Sequence, residues 1–186
     1  MDGKSQSISL HVPEYSELWY RRQLLADPDT MSYNKGCNIS FEGYDKATGC
    51  IDFPEDKWQE WYRLWTAQTD RFYYYIVLDG KFIGEANLYR DPDSDWDWYD
   101  DRFNMGIVIE NPYRGNGYAR TAMELLLEKA FEEVGAASVH NEFESWRTAA
   151  LELHLNAGFS VDSDKGYITR LSITARQYYE RTKGRF

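Results

Sequence analysis

Apolar and polar positions change period along this chain, and the changes mark out its elements. Ser7 to Val12 alternates as a short strand, and Tyr15-Ser16-Glu17-Leu18-Trp19 opens a helix that runs to about Ala26, where Asp27-Pro28-Asp29 stops it. From Ser32 to Phe53 the sequence is polar and glycine-rich with little periodicity, which reads as a loop. Pro54-Glu55-Asp56 then signals a helix start, and Trp58, Trp61, Tyr62 and Trp65 follow as one apolar stripe. Phe72 to Leu78 and Lys81 to Tyr89 read as strands joined by a tight Asp79-Gly80 turn, and Phe103 to Ile109 as the partner strand of a second hairpin.

Downstream, Ala119, Ala122, Met123, Leu126, Leu127, Ala130 and Phe131 keep a helical period, with Gly135 where a helix C-cap belongs. Ser138 to Glu144 predicts a strand, Trp146 to Ala157 a helix ended by Gly158, Phe159 to Asp162 and Tyr167 to Ile173 two more strands, and Thr174 to Lys183 a basic helical tail. No repeat interrupts this order, and 186 residues suit a single domain, 1–186.

The most informative stretch is Arg114-Gly115-Asn116-Gly117-Tyr118-Ala119, between a strand and a long helix. A glycine-containing turn at a helix N-terminus leaves several backbone N–H groups aimed at one spot, the geometry that holds a diphosphate. Glycine is needed there for close backbone approach or for a positive φ.

This stretch resembles the acyl-CoA-binding motif of the GCN5-related N-acetyltransferases (GNAT), Arg/Gln-x-x-Gly-x-Gly/Ala, with Arg114, Gly117 and Ala119 at the defining positions. Met105 to Tyr113 is similar to the family's strand and connector before that loop. Ala150-Leu151-Glu152-Leu153-His154-Leu155-Asn156-Ala157-Gly158-Phe159 looks like the helix closing the cofactor cleft, ending in the family's Gly-Phe. The opening, with Arg21, Arg22, Asp27, Pro28, Met31 and Tyr33 in order, resembles the branch that includes ribosomal-protein acetyltransferases, and it puts the 32–53 loop on the substrate side. The resemblance implies an α/β (α+β) fold with a mixed, splayed sheet of about seven strands. It also implies acetyl-CoA as co-substrate, direct attack by an amine in a ternary complex, and a tendency to homodimerise.

Composition narrows the partners. The net charge of -10 argues against nucleic acid and for a cationic small molecule or peptide amine. The apolar runs are too short for a membrane span and the N-terminus has no leader pattern, so the expectation is a cytoplasmic protein. Cys37 and Cys50 are too few and too far apart for a zinc site, so no metal is expected and both read as reduced thiols. Aromatic residues make up 17%, enough both for packing and for a pocket that holds a cation or an apolar dimer interface.

The resemblance assigns roles residue by residue. The backbone of Arg114, Gly115, Asn116, Gly117, Tyr118 and Ala119 would hold the pyrophosphate, and Gly106, Ile107, Val108 and Ile109 the pantetheine arm and thioester carbonyl. Many members carry Glu where this chain has Asn104, and an amide is no base. Asn141-Glu142-Phe143 resembles the Leu-Glu-Val of ribosomal N-terminal acetyltransferases, so Glu142 is the first candidate base, with Glu144 and Glu85 behind it. Val139 and Phe143 on one face send Glu142 and Glu144 to the other, either to the cleft or to solvent.

His154 stands where relatives place the Tyr that protonates the departing thiolate, and it also fits a packed histidine on the face of Ala150, Leu153 and Ala157. Arg147 replaces a cofactor-contacting Asn and could reach a phosphate or an acidic group of the substrate. The stretch from Asp91 to Asp101 joins six carboxylates to three aromatic rings, suited to a polyamine, an aminoglycoside or a basic peptide, or else to a solvated hairpin tip. The departures at Asn104, Arg147 and His154 keep a non-catalytic acyl-CoA-binding or interaction domain as the alternative.

Overall fold

The alternation read from the sequence becomes one seven-stranded sheet, in a computed structural model that describes residues 7–66, 69–90 and 101–183, the side chains of 164 and 165 excepted. The strands are β1 (Ile8–His11), β2 (Arg71–Leu78), β3 (Lys81–Tyr89), β4 (Arg102–Ile109), β5 (Ser138–Glu144), β6 (Ser160–Lys165) and β7 (Ile168–Thr174), in the order β1-β2-β3-β4-β5-β7-β6. Every neighbouring pair is antiparallel except β4 and β5. The helices are α1 (Leu18–Ala26), α2 (Pro28–Met31), α3 (Trp58–Thr66), α4 (Tyr118–Glu128), α5 (Thr148–Asn156) and α6 (Ala175–Lys183).

The two-residue period gives the sheet two apolar faces, each covered by helices. Phe103, Met105 and Ile109 of β4 and Val139 and Phe143 of β5 join Ala122, Met123, Leu126 and Leu127 of α4 and Tyr178 of α6 in one core. On the other face Tyr73 and Tyr75 pack against Leu18, Leu24 and Leu25 of α1 and Trp58 and Trp61 of α3. The tryptophan stripe is therefore core, with Trp61 edge-on to Tyr73 at 4.9 Å between ring centroids.

Under this second layer lies a buried charge. Arg21 of α1 bonds both Glu85 of β3 and the Tyr73 hydroxyl, and its guanidinium sits 4.4 Å from the Trp61 ring centroid. Tyr73 also donates to Glu85, so the carboxylate has two partners in a site only 8% exposed. Burial works against the Arg21 charge, yet the Glu85 carboxylate beside it holds the guanidinium above its ordinary pKa.

β4 and β5 run together for three residue pairs, Arg102 to Asn104 beside Ser138 to His140, and then separate. Each keeps its other neighbour: β4 stays with β3 as far as Ile109, and β5 with β7 as far as Glu144. A wedge opens between them, with the 114–119 turn at the end of β4.

Some local expectations change. Asp27-Pro28 ends α1 but also begins α2, because the Asp27 carboxylate accepts from the Asp29 and Thr30 N–H groups and Pro28 takes the first helical position. The segment expected to start a helix at Trp146 does so at Thr148, after a turn over 145–146. After α4 the chain widens into a π turn over Lys129–Val134 and ends at Gly135 with φ 75°, the expected cap. The 32–53 loop is built rather than loose: Tyr44 bridges to Ile51, and a Cβ on Gly43 would stand 1.9 Å from the Asp52 carbonyl oxygen.

Removing the guanidinium from the buried pair tests this layer. Arg21→Ala is expected to lower unfolding free energy by about 3–5 kcal/mol, because it strands the Glu85 carboxylate without its counter-ion. Urea denaturation followed by tryptophan fluorescence reads the loss.

Candidate active site

The turn after β4 is held from below by its own arginine. Arg114 donates through Nε to the Ile109 carbonyl at 3.0 Å and through NH2 to the Thr30 carbonyl at 2.6 Å, so the side chain ties the turn to α2. Asn116 donates to the carbonyls of Tyr113 and Arg114, closing the turn on itself. Gly115 and Gly117 have φ of 77° and 82°, and a Cβ on either would meet no protein atom within 4 Å. Left-handed backbone, not crowding by the protein, is what demands glycine here.

Among the described residues, the N–H groups of Gly115, Asn116, Gly117 and Ala119 make no backbone hydrogen bond, while Arg120 and Thr121 already donate to the Gly117 carbonyl. The turn thus presents donors at the positive end of α4. Beside it runs the half of β4 that has left β5. Ile109 is buried and Ile107 and Val108 pack on opposite cores, so the side chains fix this strand while its backbone edge borders the wedge. A diphosphate and an extended polar arm fit that pair of features.

His154 of α5 packs on β5 through Asn141 and Phe143. Its Nδ1 faces the Ala150 carbonyl at 2.8 Å, so Nδ1 carries the hydrogen and Nε2 accepts from the Asn141 amide at 2.9 Å. The amide is itself oriented, since its oxygen accepts from the Glu142 N–H. Phe143 and Phe159 flank the ring, and burial pushes its pKa below the ordinary histidine range. In this arrangement the ring is neutral, with both nitrogens engaged.

The carboxylates of β5 do leave the Val139–Phe143 face, but they part company. Glu142 is 60% exposed and pairs with Arg170 across the strand at 2.8 Å, on the solvent side. Glu144 is 16% exposed and meets Cys37 Sγ at 3.0 Å and Arg147 Nε at 2.5 Å. Glu85, the third candidate, is sealed by Arg21 and Tyr73.

Arg147 enters this cluster: its NH2 donates to the Tyr33 carbonyl at 3.0 Å and its guanidinium stands 5.1 Å from the Tyr33 ring centroid. Burial, reinforced by the Glu85 charge, pushes the Tyr33 hydroxyl up to about 12. Tyr33 therefore lies between the Arg21–Glu85 pair of β3 and the Arg147–Glu144 pair of β5. Cys37 and Tyr33 could not be placed here from the sequence, because more than a hundred residues separate each from its β5-side partner. The acidic aromatic segment falls outside the described residues, except Asp101, which pairs with Arg90.

Residues 11–160 match the family profile described as Acetyltransferase (GNAT) domain. No curated protein matches the chain. Among solved structures, the spermidine N-acetyltransferase of Vibrio cholerae in complex with CoA and spermine superposes with a TM-score of 0.72 at 16% identity, over 92% of this chain and 97% of that one. The aminoglycoside acetyltransferase AAC(6')-Ib in complex with coenzyme A gives 0.73 at 18% identity, over 95% and 99%. A nucleotide-linked sugar acetyltransferase of this family, FdhC, gives 0.65 at 20% identity, over 96% and 93%. At these identities the likeness is one of fold.

The state of His154 can be read directly. Its imidazole is expected to hold the Nδ1–H tautomer and to titrate below about 6.5, as seen by nitrogen-15 NMR across a pH series. The unfolded ring takes up its proton first on acidification, so the stability due to neutral His154 is full above about pH 6.5 and declines as pH falls below it.

Proposed function

The chain belongs to the GNAT acetyltransferase family, and we propose that it transfers an acetyl group from acetyl-CoA to a primary amine by direct attack in a ternary complex. The observation that carries the reading is the turn whose Gly115, Asn116, Gly117 and Ala119 N–H groups make no backbone hydrogen bond among the described residues, set beside the open half of β4. Its N–H groups and the start of α4 would hold the pyrophosphate, and the backbone of Gly106 to Ile109 the arm and the acyl carbonyl. The bound thioester supplies the activated acyl group; the chain supplies position, charge and a base.

That base is a carboxylate of β5. The resemblance favours Glu142, and the geometry adds Glu144 on the same side of the strand. For the acceptor, the net charge of -10 favours a cation. The solved relatives carry spermine in one case and kanamycin in another, both amines. The comparisons lend no support to the ribosomal-protein branch, since the similar structures named are spermidine and aminoglycoside acetyltransferases. Among the described residues no helix is long and apolar enough to cross a membrane.

A non-catalytic acyl-CoA-binding domain is the second reading, favoured by the neutral, fully engaged His154 and by Asn104 in place of a carboxylate. Both readings require acetyl-CoA binding, so turnover separates them. Thiol release from acetyl-CoA across a broad amine panel is expected for the enzyme; silence across that panel with intact binding selects the second reading.

Calorimetry tests the shared premise. Wild-type protein is expected to bind acetyl-CoA. Gly117→Val, which forces a side chain into left-handed backbone at a cost of about 1–2 kcal/mol, is expected to weaken binding about tenfold or more while the protein stays folded by circular dichroism. Unweakened binding by that variant moves the cofactor elsewhere.

A further inference from the structure

Glu144 closes the arm of β5 that has diverged from β4, and three segments converge on its carboxylate. Cys37 comes from the loop after α2, Arg147 from the turn before α5, and Tyr33 lies beneath the Arg147 guanidinium. The Tyr44 hydroxyl donates to the carbonyls of Asn34 and Cys37, which fixes the loop that carries the thiol. Cys37, Arg147, Tyr33 and Tyr44 thus surround the carboxylate among the described residues, and its cross-strand partner, Ile168, is apolar.

The three candidate carboxylates differ in what they can still do. Glu85 is enclosed with its counter-ion, and Glu142 is paired in open solvent, where a charge contact is weak. Glu144 is sheltered enough to strengthen a charge contact and open enough to be reached, at 16% exposed. A carboxylate has about four acceptor positions, so contacts to Cys37 and Arg147 do not saturate it. Nearby, the Ser145 N–H donates to the Tyr167 carbonyl, which brings the exposed Trp146 and Tyr167 to the same rim, faces that suit a cationic chain.

We propose that Glu144 receives the ammonium group of the acceptor, a primary amine carried on an extended cationic or sugar framework, and takes its first proton, while Cys37 and Arg147 hold the carboxylate in place. The proposal rests on the acetyltransferase reading above. The ammonium gives one proton to Glu144, and the freed nitrogen attacks the thioester carbonyl carbon. A C–N bond forms, the C–S bond breaks, and the second proton leaves the nitrogen for the departing thiolate. The products are the amide, the free thiol of CoA and a protonated Glu144 that returns its proton to water.

The Cys37 thiol is a built-in reporter. The chain has two cysteines, so in a Cys50→Ser background Cys37 is the sole thiol. Its alkylation by iodoacetamide is followed by intact mass. Burial raises its pKa, and the Glu144 hydrogen bond and charge raise it further. Glu144→Gln is therefore expected to speed alkylation near neutral pH by about threefold or more.

Spermine and kanamycin, as probe amines at millimolar concentration, are expected to slow alkylation of the protein that keeps Glu144 and to leave the E144Q rate unchanged. Equal protection in both proteins, or none in either, overturns the proposal. With an acceptor that turns over, E144Q is expected to lose about 100-fold or more in kcat/KM for the amine with acetyl-CoA affinity unchanged, and to lose more than E142Q does; a smaller loss than in E142Q assigns the role to Glu142 and overturns the proposal. The protection arm needs no acetyl-CoA, so a protein that fails to bind acetyl-CoA defeats the functional reading without deciding this one.

Discussion

The parting of β4 from β5 is the constraint on which the rest depends. A parallel pair that hydrogen-bonded along its whole length would leave no backbone edge inside the sheet for a ligand to approach. Here the pairing stops at Asn104 and His140, and each strand is held away by a longer alliance on its other side. The cost of unpaired backbone at a sheet centre is large enough that such a gap needs either water or a ligand with its own donors and acceptors. In the proposed reading an extended amide-bearing arm would answer that need, and the donor-lined turn at the end of β4 its phosphates.

Around the wedge, charge is arranged in neutral pairs. Arg21 with Glu85 and Arg147 with Glu144 stand on either side of Tyr33. An ion pair deep in protein contributes less to stability than to fixing one arrangement over others. The inner pair is closed by Tyr73 and by the Trp61 ring, so it sets how α1 lies on β3. The outer pair keeps partial contact with solvent, and its carboxylate still has capacity for another donor. Distance from the core thus separates a sealed carboxylate from a reachable one, though the sequence shows both simply as Glu on a strand.

Local patterns carried most of the fold. The alternation in Lys81 to Tyr89 and Ser138 to Glu144 marked those strands to their ends, and the Trp58, Trp61, Tyr62, Trp65 stripe marked its helix, because period alone decides which face is buried. The glycine turn was equally legible, since positive φ leaves a mark in residue type. What stayed hidden is what depends on contacts between distant segments. For His154 the sequence left a proton donor and a packed ring as alternatives, and it could not show that Asn141 and Ala150 meet its two nitrogens. For Arg147 the sequence left a phosphate or an acidic group as its partner, and it could not show that folding brings Tyr33 and Glu144 beside it. Asp27-Pro28 was read as a stop when it is also a start, because the same residues that break one helix cap the next.

The Arg114 side chain has a bearing on how such a protein could be re-engineered or could diverge. By gripping the Thr30 carbonyl it makes the 114–119 turn and the segment that leads into Tyr33 and Cys37 a single mechanical piece. The 32–53 loop is therefore no freely exchangeable module. A graft that replaces the chain from 32 to 53 inherits the turn's footing only if the backbone of α2 arrives at the same height, so the boundary for any transplanted specificity belongs after Met31, not at the helix break at Asp27.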